Sequence, residues 1–233
     1  MTEIHITADS DYWTGASTLA LLSAKQAQRA IVITAGNNDM VRRIEAADIC
    51  AIQCPMGKAF GALNLSRVLR RIEGDEFNVY VHSPNVRILV ENALKLVGRA
   101  EPINFIAKNP DPEFPKVEVE QPGEEETPLL MWLGNITENC GLLELINELG
   151  RKSDKEWRLR VVGQGKAKIV SPILKRAKSL GINHRIEWIG YSDNPYEQMN
   201  GVSAAIVNNQ HSVAAREFAA ASIPTYTNLS DIL

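Results

Sequence analysis

Four segments in the second half of the chain carry residue types that can hold a ligand, and they follow one another in a fixed order. They are Trp132-Leu133-Gly134, Val162-Gly163-Gln164-Gly165, Trp188-Ile189-Gly190-Tyr191 and Glu217-Phe218-Ala219-Ala220-Ala221. Each of the first three is a short apolar run closed by glycine, the pattern of a buried parallel strand that delivers its C-terminal end to a ligand crevice. The fourth sets a carboxylate, Glu217, at the start of a helix of small residues. In the first half, Trp13-Thr14-Gly15-Ala16-Ser17 turns from a strand into a helix, and His82 closes the run Val79-Tyr80-Val81-His82-Ser83. A histidine there either faces a ligand or packs in the core.

These residues need elements to position them, and the alternation along the chain supplies an α/β pattern. Strands are expected at 4–8, 30–34, 49–54, 78–82 and 103–107, with apolar residues at helical spacing over 16–29, 62–72 and 86–97. Five prolines between 109 and 128, with the acidic run Glu124-Glu125-Glu126, forbid a continuous helix and read as a linker. The alternation then restarts with strands at 129–133, 157–162, 185–189, 204–207 and 225–227. Helices are expected at 141–149, 169–179, 196–199 and 214–221. The expected domains are therefore 1–108, a linker at 109–128, and 129–233.

A chain of 233 residues with 45% hydrophobic and 23% charged residues is that of an ordinary globular protein. Its formal charge of -3 gives no support to nucleic-acid binding, which needs a basic stripe. No apolar run approaches the ~18 residues of a membrane span, and the start Met1-Thr2-Glu3-Ile4-His5 lacks the regions of a signal peptide. The expected location is cytoplasmic. Three cysteines make no disulfide framework. Cys50 and Cys54, on one face of an expected strand, would stand about 13 Å apart, too far for a disulfide. With four scattered histidines, no metal site is expected.

In order and spacing the four segments resemble the C-terminal half of the retaining GT-B glycosyltransferases that use nucleotide sugars, the group 1 (GT4-like) family. The resemblance implies an α/β fold of two Rossmann-like lobes facing a central cleft. Residues 228–233 correspond to the family's segment just before its closing helices, so those C-terminal helices are expected to be absent. It implies transfer of a sugar from a UDP- or GDP-linked donor to an acceptor held by the first lobe, with retention of configuration and no further cofactor.

The resemblance also assigns roles. The family carries an Arg and a Lys in a loop close to G-R-x-x-x-x-K-G, and here Gly134-Asn135-Ile136-Thr137-Glu138-Asn139-Cys140-Gly141 keeps the glycines, with Asn135 and Cys140 at the two cationic places. Two fixed cations for the departing diphosphate are thereby lost. Of the family's two glutamates with seven residues between them, the first is Asn209 here and the second is Glu217, whose implied role is to accept hydrogen bonds from the ribose. Ser212 and Val213 fall where the family offers backbone N–H groups to the donor at a helix start. Gly163 and Gly165 match the family's G-x-G turn, or an ordinary strand-to-helix turn. Tyr191 matches the position that packs the nucleotide base, or is a surface tyrosine. Gly15 is what remains of the family's glycine-rich loop, His82 matches its V-H-x-H-S run, and Lys108 stands in place of a further histidine.

Two functions of different class follow. One is a glycosyltransferase with Glu217, Asn209 and His82 as its catalytic candidates. The other is a catalytically degenerate relative that serves as a nucleotide-binding or assembly module; a GT-B-like epimerase is a minor third. Lys58, Arg67, Arg70 and Arg71 are either a solvated helix side or a basic face for peripheral contact with anionic lipid. Apolar surface left by the missing closing helices could be covered in a homodimer.

Overall fold

The computed structural model describes residues 2–8, 15–36, 38–57, 60–72, 77–83, 86–97, 103–106, 112–123, 126–192 and 194–233. The chain divides into two compact units, Met1–Glu113 and Phe114–Leu233.

The first unit runs β1 (Thr2–Thr7), α1 (Gly15–Gln26), β2 (Ala30–Thr34), α2 (Asn38–Glu45), β3 (Cys50–Gln53), α3 (Gly61–Arg71), β4 (Phe77–Val81), α4 (Arg87–Val97) and β5 (Ile103–Ile106). Its parallel sheet has the order β3-β2-β1-β4-β5. Alternation along the strands sorts the residues by face. Ile4, Ile6, Ile33, Val79 and Val81 pack against Leu65 and Leu69 of α3 and Val90, Ala93 and Val97 of α4. On the opposite face Val32 packs with Ala20 and Ala24 of α1 and Ile44 of α2. Helix α2 escapes the sequence reading because charged residues dominate Asn38–Glu45, yet Met40 and Ile44, one turn apart, are buried and suffice to dock it. The strand expected over both Cys50 and Cys54 ends at Gln53, so the two thiols do not share a face: Cys50 is exposed and Cys54 buried.

The second unit repeats the plan with β6 (Leu129–Leu133), α5 (Leu142–Arg151), β7 (Arg158–Val162), α6 (Ala167–Ser179), β8 (Ile186–Gly190), a 3-10 turn at Pro195–Met199, β9 (Ala204–Ile206), α7 (Val213–Ala220) and β10 (Thr225–Tyr226). The order β10-β9-β6-β7-β8 is the same winding as in the first sheet. Leu142, Leu145, Ile146 and Leu149 recur at helical spacing on α5 and meet Leu130 and Trp132 on one face. Leu129 and Met131 meet Ala215 and Phe218 of α7 on the other.

From Phe114 onward the proline-rich segment belongs to this second unit. Val117 N–H donates to Ala220 O at 2.9 Å, Gly201 N–H to Glu120 O at 2.8 Å, and Glu120 N–H to Asn200 Oδ1 at 2.9 Å. The Arg216 guanidinium lies 4.7 Å from the centre of the Phe114 ring. Proline forbids a helix there but leaves the intervening N–H groups free to tie an extended strap down.

Candidate functional site

Because all strands of the second sheet are parallel, the glycines that close β6, β7 and β8 share one edge. The backbone ladder continues past the strand ends and knits the three loops together. Gly134 N–H donates to Val162 O at 3.0 Å, Ile136 N–H to Gln164 O at 2.9 Å, and Gly163 N–H to Gly190 O at 2.7 Å, with a parallel bridge between Ile136 and Gly165. A Cβ on Gly163 would collide with Gly134 O, and one on Gly165 with Ile136 O. The G-x-G turn is thus required by loop meeting loop, whatever ligand lies above it.

Strands β6 and β9 are neighbours whose following helices pack on opposite faces, which makes their carboxyl ends the switch point of this sheet. The loops leaving them are tied by Asn208, whose Nδ2 donates to Cys140 O. Gly141 opens α5 at φ 73°, with no room for a Cβ beside the Asn208 amide. Asn208 did not stand out in the sequence; its only signal is the run of polar residues that follows a strand of small apolar ones.

Helix α7 begins at Val213 with Ser212 as its cap, the Ser212 Oγ accepting from Ala215 N–H at 3.1 Å. Ser212 N–H is already used, donating to Asn209 O at 3.0 Å. Of the two amides expected to face a ligand, Val213 alone is open, and Ala214 N–H joins it as the second without a partner among the described residues. Asn209 is exposed, and its Oδ1 accepts from His211 N–H at 2.8 Å, a local turn.

Glu217 sits in the second turn of α7, one residue further in than the expected helix start gives, and is 9% exposed. No hydrogen-bond donor among the described residues reaches its carboxylate, and burial pushes the carboxyl up to about 7. Tyr196, on the 3-10 turn, feels it: burial first and the Glu217 charge second push the phenol up to about 12. The Glu217 oxygens are not among the fully buried polar atoms left without a partner, so the carboxylate can accept from a donor that comes from outside the chain.

The other assigned residues divide. Asn135 is half-buried beside Gly134, and Tyr191 follows Gly190 partly exposed. Cys140 does not face a ligand: its side chain is buried in the cluster of Leu142, Leu145 and Ile136. Gly15 is the half-buried first residue of α1, while Trp13, Thr14, Lys58 and Lys108 lie outside the described residues.

His82 is the packed histidine of its two readings. It is 3% exposed, with Nε2 3.1 Å from His5 Nδ1, and His5 stacks on Tyr80 with ring centres 5.0 Å apart. Glu3 Oε2 stands 3.3 Å from His5 Nε2 without hydrogen-bond geometry, so that nitrogen and His82 Nδ1 have no hydrogen-bond partner among the described residues. Burial, and then the His82 charge, hold His5 down to about 3; burial holds His82 down to about 4.

No family model and no curated protein matches the chain. Solved structures do. HepE of Anabaena in complex with UDP-glucose superposes with a TM-score of 0.66 at 11% identity, over 97% of this chain and 79% of that one. The apo form of the lipopolysaccharide outer core galactosyltransferase WaaB gives 0.58 at 14% identity, over 100% and 83%. A glycosyltransferase from Rickettsia africae ESF-5 gives 0.59 at 12% identity, over 89% and 73%. The two sheets and their helices are those of the GT-B glycosyltransferase fold.

Proposed function

We propose that the chain is a glycosyltransferase whose second unit binds a nucleoside diphosphate sugar at the carboxyl edge of its sheet. The observation that carries this reading is Glu217, a buried carboxylate without donors, one turn along α7 from the open amides of Val213 and Ala214. The four-residue step from Val213 to Glu217 rises about 6 Å along the helix axis, a span that a ribose and its diphosphate bridge. Ribose hydroxyls donate to Glu217, and the phosphates meet the amides and positive end of the helix. The solved HepE complexes hold UDP and UDP-glucose, which makes a uridine nucleotide the first to try.

Sugar transfer builds positive charge at the anomeric carbon and negative charge on the departing diphosphate. Of the family's two cationic places one holds Asn135, a neutral donor, and the other Cys140, which is packed in the core, so this reading assigns the negative charge to the α7 amides and Asn135. Slow transfer with retention is the expected chemistry. The buried Cys140 and the turn-forming Asn209 favour a second reading, a module that binds the nucleotide and does not turn it over.

Calorimetric titration with UDP, GDP and their sugar conjugates, on the native chain and on Glu217→Ala, tests the site. Low-micromolar binding of one nucleotide, weakened in the variant, supports it; silence across the panel sinks it. Release of free sugar or transfer to an added acceptor then separates the enzyme from the module.

A further inference from the structure

An open sheet ends in strands whose outer backbone groups lack a neighbour, and such an edge pairs with other chains unless something guards it. The second sheet guards both of its edges. Strand β10 is two residues long, while β8 carries Glu187 in mid-strand and loses regular register with β7 near its carboxyl end. Strand β3, at one edge of the first sheet, has neither device. Cys50-Ala51-Ile52-Gln53 is uncharged and pairs with β2 in unbroken register.

The register fixes which backbone groups of β3 point outward. Cys54 N–H donates to Thr34 O at 2.8 Å, so in this parallel ladder Cys54 and Ile52 turn their bonding groups toward β2. Ala51 and Gln53 turn theirs away. Among the described residues nothing bonds to those outward N–H and C=O groups. The Gln53 side chain is occupied, its Nε2 donating to Gly36 O at 2.7 Å, but its backbone is not. Cys50 and Gln53 are exposed, and Ala51 and Ile52 are half-buried.

We propose that β3 pairs antiparallel with β3 of a second copy of the chain, about a two-fold axis at Ile52, joining their first sheets into one continuous sheet. In that register Ala51 lies opposite the partner's Gln53, and Gln53 opposite the partner's Ala51. Each pair exchanges both N–H···O=C bonds, which satisfies every outward group of the strand. The next outward position is Pro55, which has no N–H, so the ladder stops there in both copies. No charge lies between Ile49 and Gln53, so like charges do not face each other across the seam. The flanking helix α2 carries both signs, with Arg42, Arg43 and Glu45. An extended peptide from another protein would satisfy the same backbone groups, but a second copy brings a strand of equal length stopped at the same proline. The edge belongs to the first unit and is independent of the donor site, so failure of nucleotide binding leaves it standing.

The test is sedimentation equilibrium of the full chain from roughly 1 to 300 µM, where mass action sets the dimer fraction, with a reductant present to exclude a disulfide through the exposed Cys50. A monomer–dimer equilibrium is expected. Over the same range hydrogen exchange in the segment 50–54 should slow as the dimer forms. Ala51→Pro removes an outward donor and no bond to β2, and Cys50→Lys sets a charge on the exposed edge; each should weaken the dimer roughly tenfold or more. Circular dichroism checks the fold, and if Ala51→Pro unfolds, Cys50→Lys carries the test. A chain that stays monomeric across the range overturns the proposal, as does a dimer that survives both changes or forms without slowing exchange at 50–54. Assemblies that grow past the dimer also overturn it, because a two-fold pairing uses the β3 edge of both copies and closes.

Discussion

The two sheets are wound alike, yet they treat the polar groups at their switch points differently. In the first unit the neighbours β1 and β4 are stitched by side chains that serve each other. Thr7 Oγ1 lies 3.3 Å from Ser83 Oγ, which accepts Ala8 N–H at 3.0 Å, and the His5 and His82 rings are in contact. In the second unit Asn208 makes the stitch between the loops leaving β6 and β9, and Glu217 is left without donors. Two neutral imidazoles can share one proton as donor and acceptor, whereas a carboxylate only accepts and must be supplied from outside. The proposed donor site therefore belongs to the second unit, while in the first the two histidines bond to each other and leave His5 Nε2 and His82 Nδ1 without a hydrogen-bond partner among the described residues.

The comparison predicts opposite responses to pH, and the larger is on the acid side. The fold keeps His5 and His82 neutral, holding them to about 3 and about 4, while the unfolded chain takes up protons near 6.5. Their contribution is therefore complete above 6.5 and is lost as the pH falls through 4 toward 3. Urea unfolding followed in the first unit should show several kcal/mol of stability lost across that window. The double change His5→Phe with His82→Leu should flatten the loss, leaving the smaller effect of Glu3, the other group of the cluster that titrates in acid. Equal slopes in both proteins would mean that the pair is not closed.

Glu217 has the reverse sign. Its carboxyl ionises near 7 in the fold and near 4.5 in the unfolded chain, so the contribution is complete below 4.5 and lost as pH rises through 7. At about pH 8 the charge destabilises the second unit by roughly 3 kcal/mol, and Glu217→Gln should recover much of that. The same substitution should weaken nucleotide binding. Glu217→Ala should weaken it by roughly ten- to a hundredfold, the worth of one or two charge-assisted hydrogen bonds after solvent competition. Gain of stability with unchanged affinity would make Glu217 a buried acid with no ligand.

The strands and most helices were legible because their apolar residues alternate or recur at helical spacing, as in Leu142, Leu145, Ile146 and Leu149. Helix α2 was not, since two buried residues among charges leave no stripe. At the site the glycines and Glu217 were visible as types in a strand-end pattern. The faces of Cys140 and His82 were not, because the direction of a side chain in a loop, at the end of one for Cys140 and just past β4 for His82, depends on how the loop turns. Asn208 and Tyr196 were missed for a related reason: their partners, Cys140 O and Glu217, are far away in sequence.

The smallest effect concerns the lost cations, and it separates the two positions that the sequence treated as equals. Asn135 is half-buried on the carboxyl edge, beside the glycine that closes β6, whereas Cys140 is packed in the α5 cluster. Asn135→Arg should therefore tighten binding of the nucleoside diphosphate by roughly three- to tenfold, with little effect on the nucleoside, because a guanidinium reaches phosphate oxygens and not the base. The gain should shrink as salt rises. Cys140→Lys should give no such gain and should lower the unfolding midpoint, since an ammonium in an apolar cluster loses its hydration without gaining a partner. The readout is a set of paired titrations with nucleoside and diphosphate at two salt concentrations. Equal changes for both ligands in Asn135→Arg would show that this residue does not face the phosphates, and the donor would then have to lie elsewhere along the edge of the second sheet.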